Sequence, residues 1–235
     1  MTYIMSDLHG NWGKYQDMLE KIAFSGIDQL YILGDVIDRG PDGVKILRDM
    51  MKRPNVIPIL GNHEFTAAVC LPWLLKEVTV QSLDGLGEEQ IAALAEWIAN
   101  GGGSTLRELQ ALGQEKRKEL LEYLREMDLY AEVEAGGRSF VLVHAGLGHF
   151  APDRPLGSYE LGDFIFDRPN LDKTYFPDKF LAFGHTPTRL LRQRTGEVPS
   201  DAIIRRGNQI ALDCGCGFGG KLGCLCAETM DEFYV

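Results

Sequence analysis

Apolar and polar positions alternate in blocks through the first part of the chain. Tyr3 to Met5 is a short apolar run that stops at Ser6–Asp7. From Trp12 to Phe24 the spacing is helical, with Met18, Leu19 and Ile22 on one face. A second apolar run, Leu30 to Leu33, stops at Gly34–Asp35. Val44 to Met51 reads as a helix after the turn Gly40–Pro41–Asp42–Gly43. A third run, Val56 to Leu60, stops at Gly61–Asn62–His63. This strand–helix–strand–helix–strand order predicts parallel strands covered by helices, an α/β chain.

Residues from about 78 to 128 follow another pattern. Ile91, Leu94, Ala95 and Ile98 recur at i, i+3, i+4 and i+7 and predict an amphipathic helix from Glu88 to Ala99. Gly101–Gly102–Gly103 ends it, and Ser104 is placed to cap a second helix carrying Leu106 and Leu109. Glu115 to Met127, with Leu120, Leu121 and Leu124, predicts a third. The stretch reads as a helical insertion within one domain spanning residues 1–235. Strand-like runs return at Phe140 to Val143, Phe180 to Phe183, Ile210 to Leu212, Cys224 to Ala227 and Phe233 to Val235.

Chemistry collects where the runs stop. In open α/β sheets, ligands sit beyond the carboxyl ends of the strands. Asp7 and His9 follow the first run, Asp35 the second, Asn62 and His63 the third, and His144 and His185 two later runs. Of five histidines only His149 lies elsewhere, and it is expected to have no catalytic role. The set offers carboxylate and amide oxygens and imidazole nitrogens but no thiolate, which suits Mn²⁺, Fe or Zn²⁺. Without His63, the donors Asp7, His9, Asp35, Asn62, His144 and His185 number six, too many for one catalytic metal with open positions. They suit two metals with one carboxylate between them.

Charge and cysteine content narrow the partners. Lys and Arg number 24 and Asp and Glu 34, a formal charge of −10. An acidic chain with no basic stripe is a poor general partner for nucleic acid or anionic lipid, and neither is expected to bind. No apolar run approaches the roughly 18 residues of a membrane span. Five cysteines, an odd count in a chain long enough to build its own core, predict a reducing compartment. Without a basic segment leading a long apolar stretch at Met1, a cytoplasmic location is expected.

The motifs SDLHGN (Ser6 to Asn11), GDVIDRG (Gly34 to Gly40), GNHE (Gly61 to Glu64), HAG (His144 to Gly146) and GHT (Gly184 to Thr186) stand in this order. Together they resemble the calcineurin-like metallophosphoesterases. GDVIDRG followed by GNHE resembles, more narrowly, the phosphoprotein phosphatase family of serine/threonine phosphatases, bacterial and phage type. The resemblance implies a two-sheet sandwich flanked by helices, with the helical insertion added. It implies that Asp7, His9 and Asp35 hold one divalent metal ion. Asp35 then bridges to a second, held by Asn62, His144 and His185. His63 is the implied general acid, oriented by Asp38, and Arg39 the phosphate clamp. Arg168, in FIFDRPN, is the best match to a second phosphate-binding arginine. Manganese is the expected metal, with iron or zinc as alternatives, and a hydroxide between the metals attacks phosphorus directly. The expected protein is a monomer acting on a phosphoprotein or a phosphorylated small molecule.

Other readings bound this one. A dinucleoside polyphosphate hydrolase, cleaving diadenosine tetraphosphate on the same fold, also accommodates HAG and GHTP. Asp38 beside Arg39, together with GNHE, places the phosphoprotein reading ahead of it. A non-catalytic metal-binding scaffold would have lost a donor or the acid, and all are present. Ser6 stands where the narrower family has glycine. Glu64 reads as a helix first-turn residue without a catalytic role. Cys214, Cys216, Cys224 and Cys226 read as strand packing ahead of a four-thiolate zinc site.

Overall fold

The computed structural model describes residues 1–75 and 87–235. The first sheet contains β1 (Thr2–Met5), β2 (Gln29–Ile32), β3 (Val56–Pro58), β9 (Gly223–Cys226) and β10 (Glu232–Tyr234), in the order β10-β9-β1-β2-β3. β1, β2 and β3 run parallel, and β9 joins β1 antiparallel. The second sheet contains β4 (Tyr130–Ala135), β5 (Arg138–Val143), β6 (Lys179–Phe183), β7 (Ile204–Arg206) and β8 (Gln209–Ala211), in the order β4-β5-β6-β8-β7. Here β5, β6 and β8 are parallel.

The sheets stack, and helices cover both outer faces. Strand alternation explains why the apolar runs are continuous. Ile4 and Leu225 point into the core between the sheets with Phe140, Leu142, Ala182 and Ile210. Tyr3 and Met5 point the other way, into a core made with α1 (Trp12–Lys21), α2 (Gly43–Met50) and α3 (Asn62–Cys70). On the far side, Val141, Val143, Leu181 and Phe183 pack under α7 (Leu161–Ile165) and α8 (Thr188–Arg194).

The insertion forms α4 (Glu88–Trp97), a π turn over Ile98–Gly102, α5 (Gly103–Gln110) and α6 (Gln114–Arg125). Its expected start, residues 78–86, lies outside the described residues. Leu94, Trp97, Leu109, Leu120, Leu121 and Leu124 extend the core under the first sheet. Three details differ from the sequence expectation. Ile91 and Ile98 are 52% and 48% exposed, because α4 turns its Leu94–Trp97 edge inward. The glycine run does not end the helical path: Gly101, at φ 108°, bends it into α5. Gly102, not Ser104, takes the N-cap position, and the Ser104 hydroxyl donates to the Gly101 carbonyl oxygen at 3.1 Å.

The cysteines divide between two layers. Cys214 packs in the core between the sheets, whereas Cys216, Cys224 and Cys226 pack toward the helices. Burial pushes the thiols of Cys214, Cys216 and Cys224 up. Among the described residues, no helix is long and apolar enough to cross a membrane.

Candidate metal centre

The loops after β1 and β2 are laced together by backbone hydrogen bonds. The N–H groups of Asp7, His9 and Gly10 donate to the carbonyl oxygens of Gly34, Asp35 and Val36 at 3.1, 2.9 and 2.7 Å. α3 starts at Asn62, so β3 delivers Asn62 and His63 in the first turn of a helix. His144 follows β5 and His185 follows β6. Every candidate metal donor thus leaves a strand end or the turn after it.

These residues meet in two donor groups that share Asp35. His9, Asp35 and His63 form one, and Asp35, His144 and His185 the other, with donor atoms within 4.8 Å of one another in each. Asp35 Oδ2 lies 3.7 Å from His9 Nε2, and Oδ1 lies 3.4 Å from His144 Nε2. Asn62 Oδ1 lies 3.0 Å from His144 Nε2 and 2.9 Å from His185 Nδ1. Asp7 Oδ1 lies 4.0 Å from His9 Nε2, and its carboxylate accepts the His185 backbone N–H. The Ser6 hydroxyl also hydrogen-bonds this carboxylate.

The donor chemistry fits divalent cations. His9 Nδ1 lies 3.0 Å from the Ile37 carbonyl oxygen, and His144 Nδ1 lies 2.6 Å from that of Leu33. Each contact assigns the ring proton to Nδ1 and turns the Nε2 lone pair toward the carboxylates. Burial holds His9 and His185 down at about 3, and Arg39 and His144 respectively add to the effect. His144 is lowered as well, chiefly by burial. Neutral imidazole is the form that ligates. Burial, with Asp213 and Asp35 alongside, pushes the Asp7 carboxyl well up. Burial works against ionised Asp35, but the imidazoles of His144, His63, His9 and His185 outweigh it and hold the carboxyl below the ordinary range. Buried carboxylates crowded among imidazole nitrogens supply the oxygen and nitrogen donors that a divalent cation takes.

His63 shares Asp35 with the first group, yet its ring nitrogens are engaged elsewhere. Nδ1 meets Asp38 Oδ2 at 2.7 Å, and Arg39 Nη2 lies 3.2 Å from Nε2. Burial alone would lower its pKa, but the Asp35 and Asp38 carboxylates prevail and raise it. The Arg39 guanidinium also reaches His9 Nε2 at 2.6 Å and stacks over Phe218, 4.4 Å from the ring centroid. Arg168 sits on the opposite flank, donating to Thr186 Oγ1 at 3.3 Å, one residue from His185. His149 is apart from both groups and pairs with Asp163 at 2.7 Å on the surface.

Three residues at this site, Asp213, Trp97 and Thr105, escape the sequence reading, and Glu64 has a further role there. Glu64 is fully buried and accepts the backbone N–H groups of Asp35, Val36 and Ile37 at 2.7, 2.9 and 3.1 Å. It sits in the first turn of α3, as the sequence suggests, and from there also braces the loop that carries Asp35. Burial, with Asp35 adjacent, pushes its carboxyl up to about 7. Asp213 follows β8 and obeys the strand-end pattern of the candidate metal donors; burial also pushes it to about 7. Trp97 and Thr105 reach Asp38 from the insertion. Their separation along the chain leaves no local sequence signal.

A stacked pair of sheets whose strand ends deliver two O/N donor groups around one shared carboxylate defines a metallophosphoesterase. The chain belongs to the calcineurin-like phosphoesterase family, whose profile matches residues 2–189. Among its relatives is the symmetrical bis(5'-nucleosyl)-tetraphosphatase of Haemophilus ducreyi, 30% identical over 62% of this chain and 45% of the relative. The enzyme of the same description from Pseudomonas fluorescens is 31% identical over 62% of this chain and 43% of the relative. The chain thus spans less than half the length of these relatives. An asymmetrical bis(5'-nucleosyl)-tetraphosphatase from Halalkalibacterium halodurans is 25% identical over 94% of this chain and 88% of the relative. A solved structure described provisionally as a diadenosine tetraphosphatase shares the fold, with a TM-score of 0.66 and 20% identity over 100% of this chain and 92% of that one.

Proposed function

We propose that this chain is a metal-dependent hydrolase of dinucleoside polyphosphates. The observation that carries the reading is Asp35 shared by two donor groups, with Arg39 on one flank and Arg168 on the other. Two flanking guanidinium forks suit a substrate with several phosphates in a row. The relatives' descriptions, one of them along nearly the whole chain, support that substrate class. This reverses the substrate order expected from GDVIDRG and GNHE.

Asp7, His9 and Asp35 would hold one cation, and Asp35, Asn62, His144 and His185 the other. Mn²⁺ is the first to test, with Zn²⁺ and Fe also matched to these donors. The pair would supply an activated water and neutralise phosphoryl charge. Arg39 and Arg168 orient phosphate oxygens. His63 hands a proton from Nε2 to the leaving oxygen, and Asp38 holds the ring at Nδ1.

The intact His63–Asp38 contact, at 2.7 Å, favours a second reading, a serine/threonine phosphatase. An alkoxide needs a proton more than a nucleotide phosphate does. Turnover of diadenosine tetraphosphate and of a phosphothreonine peptide, side by side with Mn²⁺, separates them. We expect a higher kcat/KM for the dinucleotide; preference for the peptide overturns the proposal.

A further inference from the structure

We infer that the helical insertion is part of the proton-donating apparatus, with Trp97 and Thr105 as positioning residues for Asp38. The inference rests on the reading of His63 as general acid and Asp38 as its orienting carboxylate. It assigns the insertion a task inside the site in addition to any effect on substrate shape.

Asp38 is fully buried, and three side-chain donors converge on its carboxylate. Oδ2 receives His63 Nδ1 at 2.7 Å and the Trp97 indole N–H at 2.9 Å. Oδ1 receives the Thr105 hydroxyl at 2.6 Å. The Thr105 oxygen in turn accepts the Asp38 backbone N–H at 3.0 Å. A carboxylate that accepts from both sides has its plane fixed, and so has the lone pair aimed at the imidazole. Trp97 is 1% exposed, and a buried indole N–H needs an acceptor. Here that acceptor is the carboxylate that orients the acid.

The π turn makes this convergence possible. Gly101 carbonyl oxygen accepts the Arg39 N–H at 3.0 Å, so the same turn also holds the phosphate clamp. Asp38 and Arg39 sit at φ 69° and 66°, a region that residues with side chains rarely adopt. Thr105 and Gly101 bond the two backbone N–H groups of this strained pair. A Cβ on Gly101 would lie 2.8 Å from Arg39 Cγ, and one on Gly102 2.5 Å from the Trp97 indole. The glycine run that looked like a helix stop is the close contact between insertion and site.

The test uses phosphate esters with leaving groups from p-nitrophenol to ethanol, assayed with Trp97→Phe, Thr105→Val, Thr105→Ser and His63→Asn. Trp97→Phe and Thr105→Val should lose about tenfold or more in kcat on the ethyl ester and less on the p-nitrophenyl ester, with KM little changed. Thr105→Ser, which keeps the hydroxyl, should restore the wild-type pattern. A structural role alone would lower both substrates together. His63→Asn distinguishes failure of the acid role from failure of the positioning role. If it leaves leaving-group dependence unchanged, the acid reading fails and takes this inference with it. If it steepens the dependence and the Trp97 and Thr105 variants do not, the inference alone fails. The His63 Nδ1–H resonance in the zinc-loaded protein gives a readout without turnover. It should shift or exchange out in Trp97→Phe and Thr105→Val, and an unchanged resonance overturns the inference.

Discussion

Asp7, His9, Asp35, Asp38, Arg39 and His185 all hold left-handed backbone dihedrals. Residues with side chains avoid this region unless neighbouring structure imposes it. The imposing structure is visible in the interloop hydrogen bonds and in the Glu64 brace. Tight backbone approach is part of the same design. A Cβ on Gly61 would lie 2.5 Å from Asp35 N and Oδ1 and 2.6 Å from Glu64 Oε2. Gly61→Ala should therefore destabilise the metal-free protein by about 1–3 kcal/mol, measured by urea unfolding. A change below about 0.5 kcal/mol would contradict the close-approach argument. For Arg39, the proposed phosphate clamp, Arg39→Lys keeps the charge and loses the planar fork. It should weaken kcat/KM for diadenosine tetraphosphate by roughly 10- to 100-fold, the value of one to two charged hydrogen bonds. An unchanged kcat/KM would remove Arg39 from the substrate. The residues legible in the sequence were those that obey a local rule, an apolar run followed by a polar donor. Asp213, just past β8, obeys it too, but stands in a run of glycines and cysteines with no other oxygen or imidazole donor beside it. Glu64 acts on residues 27 to 29 positions away, so nothing near it in sequence announces the role.

At the scale of elements, the parallel β1–β2–β3 unit was readable because each strand is apolar on both faces and ends in glycine or a polar residue. The short β7, α7 and α8 carry little periodicity and take their form from neighbours, whereas β4 alternates apolar and acidic residues but buries few of them. In β4, only Val133 and Ala135 are buried. The insertion shows how a correct element can carry a wrong face. Both the Ile91–Ile98 and Leu94–Trp97 edges of α4 are apolar, and contact with α3 and Asp38 decides between them. Leu94→Ala should cost about 2–5 kcal/mol by urea or thermal unfolding. Ile91→Ser should stay within about 0.5 kcal/mol of wild type. Equal costs would place α4 in another rotation.

For the whole molecule, both sheets are needed to assemble the site. Asp7, His9, Asp35 and Asn62 come from ends of the first sheet, and His144 and His185 from ends of the second. Cations bound by both should stabilise the packed sheets as well as permit catalysis. Binding at a hundred times Kd contributes about 2.7 kcal/mol, so chelation should lower Tm measurably. A Tm insensitive to chelator would mean that no cation links the sheets. The most direct test of the central claim is the manganese content of purified wild type and Asp35→Asn, by elemental analysis after loading and desalting. A shared carboxylate predicts two ions per wild-type chain and one or fewer in Asp35→Asn. Two ions retained in the variant would contradict Asp35 as the group common to both sites.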